Sequence, residues 1–292
     1  MDSDPSDRRR FPLAESQKTV NGARRMKEMI KRYLRIYALY FKQYVKTRLI
    51  YHGDTYLSLL GRFIEIGISV AFLGLLFTQV ETIYGWSFDE MLFLAGFGGI
   101  VMNLHHIFFL NTYRFGENYV ITGDFDRFLV RPLNPLFQVY ADGVNDSNIA
   151  KLIGSIAMVV YSGTQLGIEV TALKLLYAIP AIVSGVLIFG AIYLVASTSA
   201  FWLGKSQQIV WILFNLSDFR KYPYGIYSSG IQILLVTLIP FAFATFFPAT
   251  VFLEKGSWGA MQLVSLFAGP FFYLLAYRFW SFGVSRYSST GS

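Results

Sequence analysis

The chain is 292 residues long, 54% hydrophobic and only 15% charged, with a formal net charge of +7. The charges cluster, leaving apolar runs long enough to cross a hydrocarbon core of about 30 Å at roughly 20 helical residues each, so an ordinary soluble domain is excluded and a polytopic membrane protein is expected. Cysteine is absent, which excludes disulfide frameworks, thiolate metal sites and cysteine nucleophiles.

Residues 1–22 read as a disordered cytoplasmic tail. In 23–52, Met26, Ile30, Tyr33, Leu34, Tyr37, Phe41 and Tyr44 recur at helical spacing, opposite Arg24, Lys31, Arg32, Arg35, Lys42 and Lys46. This pattern predicts an amphipathic interfacial helix whose basic face meets anionic headgroups at about 1 kcal/mol per basic residue. A helix packed on a soluble partner is the alternative. The apolar stretches are too many, and begin too late, for a cleaved secretory signal.

A transmembrane domain is expected over 53–285, with a short tail at 286–292. Six helical spans are placed at about 56–80, 89–112, 148–168, 174–202, 229–247 and 258–282, helices being required because lipid offers the backbone no hydrogen-bonding partner. Thirteen of the 25 lysines and arginines precede the first span, and the 113–151 and 203–228 loops hold most of the others. That bias places both termini and both long loops in the cytoplasm of a cell whose inner or plasma membrane holds the chain.

Within the first span Arg62 and Glu65 stand three apart, on one helical face, and can pair; Arg62 can also snorkel to the interface. His105 and His106 point about 100° apart on a helix and do not readily chelate one metal. The loop 114–147 is the most informative stretch. Gly123 opens a short segment in which Phe125, Phe128 and Leu129 could anchor in a groove, while Asp124, Asp126, Arg127 and Arg131 fix register. Pro132, Leu133, Asn134 and Pro135 then close it. A solvated loop with one buried turn is the plainer alternative.

Gly204, Lys205 and Ser206 mimic the end of a phosphate loop, but position 199 is serine rather than the required glycine, and no soluble strand precedes them. No catalytic, cofactor or metal residue is expected. At the outer end of the fifth span, Pro240, Phe243, Phe246, Phe247 and Pro248 combine two helix breakers with an aromatic cluster. Such backbone is tolerated at membrane depth only where protein or a water cavity covers it, so these residues are expected to form an outer gate; an external turn is the alternative.

The leading amphipathic helix, the six spans and the motifs GDFDRFLVRPLNPLF (Gly123 to Phe137), FRKYPYGIY (Phe219 to Tyr227) and IPFAFATFFPA (Ile239 to Ala249) together resemble the permease subunits of ABC exporters of the type-2 class, over about residues 25–285. The resemblance implies an all-α membrane fold in which residues 123–135 form a coupling helix seated in the cleft of a separate ABC ATPase. Two such ATPases per complex would carry ATP and magnesium, and a second permease copy or a related permease would complete the dimer. The resemblance further implies a cargo path between protomers, lined by the first, second and fifth spans, and re-entrant helices over 248–257. The expected cargo is an amphiphilic or aromatic, cationic, drug-like small molecule exported from the cytoplasm; lipids and glycan precursors are alternatives, and nucleic acid is not a partner. An ion-coupled transporter or membrane-embedded enzyme would instead require buried carboxylates or metal ligands near the midplane, where only Glu65 comes close.

Overall fold

The computed structural model describes residues 27–29, 31–43, 46, 52–143, 147–256 and 258–289. Two compact units are present, Met1–Ile50 and Tyr51–Ser292. In the first, residues 27–29 and 31–43 are helical, and Leu34, Leu39 and Phe41 are exposed along it. Met26, Ile30 and Tyr44 of the expected apolar face lie outside the described residues, as does the expected tail.

The second unit is helical, with no strand among the described residues. Its long helices are α1 (His52–Phe77) and α2 (Phe88–Phe109), then, after the short α3 (Asp126–Leu129) and α4 (Pro135–Ala141), α5 (Ser147–Gln165), α6 (Ala172–Thr198) and, last in the chain, α10 (Gly259–Arg286). Between α6 and α10 lie α7 (Gln207–Leu216), α8 (Ser229–Thr237) and α9 (Phe247–Leu253). Local chemistry sets the ends. At the start of α2, Ser87 and Glu90 form a reciprocal cap, with Ser87 N–H donating to Glu90 Oε2 at 2.8 Å and Glu90 N–H to Ser87 Oγ at 3.4 Å.

Four helical stretches among the described residues are long and apolar enough to cross a membrane: Leu60–Phe77, Phe88–Arg114, Ala172–Leu203 and Gly259–Arg286. A fifth arises if the bent pair Ser229–Thr237 and Ala242–Leu253 is one broken span. The stretch expected as the third span is the 19-residue helix α5, which falls outside that set because polar residues such as Asn148 and Lys151 near its start dilute it.

The helices meet through small residues, which let backbones approach where lipid supplies no hydrophobic drive. A side chain at Gly96 would stand 2.9 Å from Val159 and 3.0 Å from the Ser155 carbonyl, and one at Gly99 would overlap Ser155, so α2 lies directly against α5. Gly269 of α10 sits on the backbone of Ser184 in α6, whose hydroxyl donates to the Ser265 carbonyl and accepts from Gly269 N–H at 2.9 Å. By contrast, only 6% of Leu60–Phe77 is buried, so α1 presents Leu60, Phe63, Ile64, Ile68 and Phe72 outward.

Two expectations are corrected. The continuous fifth span over 229–247 is instead α8, a break at Pro240, and a π-helix (Ala242–Phe246) running into α9, the two arms bent by 75°. Pro248 falls in the first turn of α9, directly after the π-helix, where its lack of an N–H coincides with the change of helical winding. The supposed loop 203–228 climbs along α2 from its C-terminal end. Phe214 stacks on His106 at 5.7 Å, the stem of Arg220 lies 3.5 Å from where a Gly98 side chain would begin, and Tyr224 meets Phe246 at 5.7 Å, which in turn meets Trp86 before α2. Arg220 and Lys221 share one carboxylate, Asp218, at 3.2 and 2.8 Å, so local pairing offsets part of the charge that made this segment read as a loop.

Replacing Gly269 with valine should force α10 off α6 and cost about 1–3 kcal/mol, the range for overpacking. Gly61→Ala, where nothing stands within 4 Å, should leave thermal unfolding in detergent unchanged. Equal melting of the two variants would refute the packing argument.

Candidate functional site

The segment after α2 is a folded element rather than a free loop. The chain turns through a 3-10 helix (Leu110–Arg114) and a π-helix (Gly116–Val120), then reverses at Gly123, whose φ of 76° suits glycine. Phe125 N–H donates to the Tyr119 carbonyl at 2.9 Å as α3 begins. Pro135, expected to end the segment, starts α4 instead: it takes the first turn while Asn134 Oδ1 accepts from Phe137 N–H at 3.2 Å. Buried Gln138 donates to the carbonyls of Phe128 at 2.9 Å and Leu133 at 3.2 Å, stapling the turn between α3 and α4.

The expected anchors Phe125 and Phe128 do not face outward. They are 0% and 1% exposed: Phe125 packs on Phe115 from the turn after α2, on Phe201 just past α6 and on Trp280 of α10, while Phe128 packs on Phe125 and Tyr119 in the same cluster. Phe125 and Phe128 stand three apart and share a face, and the body of the protein takes that face. What remains outward is Leu129, 41% exposed, and Val130, 83% exposed, flanked by Asp124, Arg127, Arg131 and Pro132. Arg127 turns inward in part: it donates to Asp142 Oδ2 at 2.9 Å and covers the Phe128 ring at 4.9 Å. Tyr119 donates to the same carboxylate oxygen at 2.8 Å; burial, and then the Asp142 charge, raises its phenol pKa, so it remains a neutral donor. Asp126 accepts from Ser289 at 2.6 Å, and Asn134 Nδ2 donates to Tyr277 Oη of α10 at 2.7 Å.

A second feature lies deeper. A cavity of about 300 Å³ opens between α1, α2, α5 and the 3-10 turn Ser217–Lys221, lined by Glu65, Asn103, His106, Lys151, Ser155 and Arg220 among others. Arg62 and Glu65 pair as expected, at 3.2 Å, and Lys151 joins them on the second carboxylate oxygen at 2.5 Å. Asn103 donates to Ser155 at 3.2 Å across the cavity wall. The Lys151, Asp218, Arg220 and Lys221 members were not assigned from the sequence; the usable signal was the apolar run Ile209–Leu216 beside them, too hydrophobic for a solvated loop.

The other candidates resolve structurally. His105 is buried between Phe109 and Tyr193 at 5.3 Å from each, and His106 pairs with Tyr113 Oη at 2.9 Å, so they do not share a ligand position. No metal-holding cluster exists among the described residues. The N–H groups of Ser206 and Gln207, which a phosphate would need, are taken by Glu117 Oε1 at 3.2 and 3.1 Å. Phe243, Phe246 and Phe247, expected to line a path between protomers, are buried in this chain's own core, with Phe246 and Phe247 packed on Trp258 at 5.9 and 5.5 Å. The 240–248 stretch is a covered break, which corrects the expectation that these rings face a partner.

Apolar helices joined through small residues, one sharply bent pair and a packed helical elbow are the features of a multi-pass membrane protein. Residues 63–291 match the ABC-2 family transporter proteins, and the chain belongs to that family. A comparison with curated proteins gives no match.

Phe125→Ala should loosen the elbow by roughly 3–5 kcal/mol, as for a buried phenylalanine elsewhere, and raise amide exchange across 121–135. Val130→Asp should leave that exchange at the wild-type rate. Equal exchange in Phe125→Ala and wild type would show that the aromatic cluster does not hold the elbow.

Proposed function

We propose that this chain is the permease subunit of an ATP-driven exporter in the inner or plasma membrane, working with two ABC ATPase subunits and a second permease, either its own copy or a related one. The observation that carries the reading is the elbow 123–135: Leu129 and Val130 are exposed at its apex while Phe125 and Phe128 bolt it to α6 and α10. An apolar tip rimmed by charge suits a groove on a soluble partner, and a bolted base transmits force instead of bending. Docking therefore rests on Leu129 and Val130, with Asp124 and Arg131 setting register.

In this reading both termini and the elbow are cytoplasmic, and residues 23–52 lie along the cytoplasmic membrane surface. Six crossings are completed by α5 and by the segmented run 207–227, with 229–253 a re-entrant pair that dips from the outer side. Pro240 and Pro248 then give the outer end its break, and Phe243, Phe246 and Phe247 seal it from within each protomer. ATP and magnesium are held by the partner, and this chain supplies the path for an amphiphilic small molecule. An ion-coupled mechanism is less well supported, since Glu65 and Asp218 are each already shared by two cations.

Two measurements test this. The purified chain alone should hydrolyse no ATP; turnover surviving removal of every other polypeptide would refute the assignment. Val130→Asp combined with Leu129→Asp should weaken co-purification of the ATPase at least tenfold, about 1.4 kcal/mol, while the amount in the membrane is unchanged. Normal co-purification and transport in that variant would exclude the elbow as the dock.

A further inference from the structure

We infer that the cavity between α1, α2, α5 and the turn 217–221 binds an amphiphile with an acidic headgroup, such as a phosphate monoester on an acyl chain, and is the site where cargo leaves the cytoplasmic leaflet. The inference rests on the exporter reading and names the class of its substrate.

Charge carries the argument. Three cations line the cavity, Lys151, Arg220 and Lys221, against two carboxylates, Glu65 and Asp218. One positive charge remains in excess, and Arg62 pairs with Glu65 from beside the cavity. Arg220 stands at depth: Gly98, against which it lies, is eleven residues before the end of α2, roughly 16 Å along its axis. Excess charge in that position is unfavourable unless something negative answers it, and ionisable groups inside a membrane mark substrate paths more often than structure. Arg220 is only 12% exposed, its Nη1 is spent on Ser217 and Asp218, and its Nε has no hydrogen-bond partner among the described residues.

The rest of the wall fits an amphiphile. Asn103 and Ser155 offer polar groups near Lys151, while Phe72, Leu73, Met102 and Met158 provide an apolar side. At about 300 Å³ the space matches the lower end of small-molecule sites, enough for a headgroup with its first methylenes, and Leu60–Phe77 of α1 is the least buried of the four long apolar stretches, so the chains can remain in lipid. A cationic drug, the cargo suggested by the aromatic content of the sequence, would meet like charge here.

The test uses the full chain in nanodiscs of phosphatidylcholine, titrated with dioctanoyl phosphatidic acid and with dioctanoyl phosphatidylcholine and read by native mass spectrometry. Phosphatidic acid should bind at least tenfold more tightly. Lys151→Gln and Lys221→Gln should each weaken it about fivefold, and Glu65→Gln should strengthen it by a similar factor, a gain that misfolding does not produce. Equal binding of the two lipids, or affinities indifferent to all three substitutions, would overturn the inference. A second arm uses the complex with its ATPase in vesicles, where ATP should move phosphatidic acid between leaflets. Selective binding without movement would identify a resident bilayer lipid and overturn the cargo assignment. The binding arm contains no ATPase, so its failure is separate from that of the exporter reading, which would show as a complex without ATP hydrolysis.

Discussion

The interaction on which the architecture turns is the aromatic cluster of Phe115, Phe125, Phe128, Phe201 and Trp280. Phe115 meets Trp280 edge-on at 4.8 Å and Phe125 at 5.2 Å, joining the end of α2's extension, the elbow and α10 in one block. Each ring contributes burial and an edge-to-face preference, about 0.5–1.5 kcal/mol per pair beyond area. Without that block the elbow would be a tethered loop whose displacement dissipates in solvent. With it, a push on Leu129 and Val130 reaches the ends of two membrane helices.

Membrane-depth packing imposes the second constraint. Lipid is as apolar as leucine, so the helices are held by close approach and by satisfied polar groups, as at Gly99 against Ser155 and Ser184 against Gly269. The same rule explains why irregular backbone at 217–227 and 238–246 is stable: both stretches are wrapped by α2, α6 and each other, with Phe241 stacked on Phe189 at 5.0 Å.

Much of this was legible in the sequence. The apolar runs, the elbow's position and the Arg62–Glu65 pair follow from composition, proline placement and helical spacing. Which side of the elbow faces inward does not, because Phe125, on which Phe128 packs, is buried by Phe201 and Trp280, distant in sequence and brought together only by folding. Nor was the path of 207–227 along α2 legible: Arg220 and Lys221 count as loop charge unless one knows that both pair with Asp218. Local pairing weakens the signal on which charge bias relies.

The elbow and the cavity are not independent. Tyr113, in the turn that leads from α2 to the elbow, holds His106 at 2.9 Å, and His106 both lines the cavity and stacks on Phe214 of α7. A movement of the elbow that carries Tyr113 must either carry His106 or break that hydrogen bond inside a low-dielectric wall, which costs about 1–3 kcal/mol. Keeping the bond is the cheaper course, so His106 and with it Phe214 would shift, and the segment that ends in Arg220 begins directly after Phe214. A lever fixed at one end by aromatic rings and at the other by a buried hydrogen bond therefore leads from the exposed apex at Leu129 and Val130 to the charged wall of the cavity.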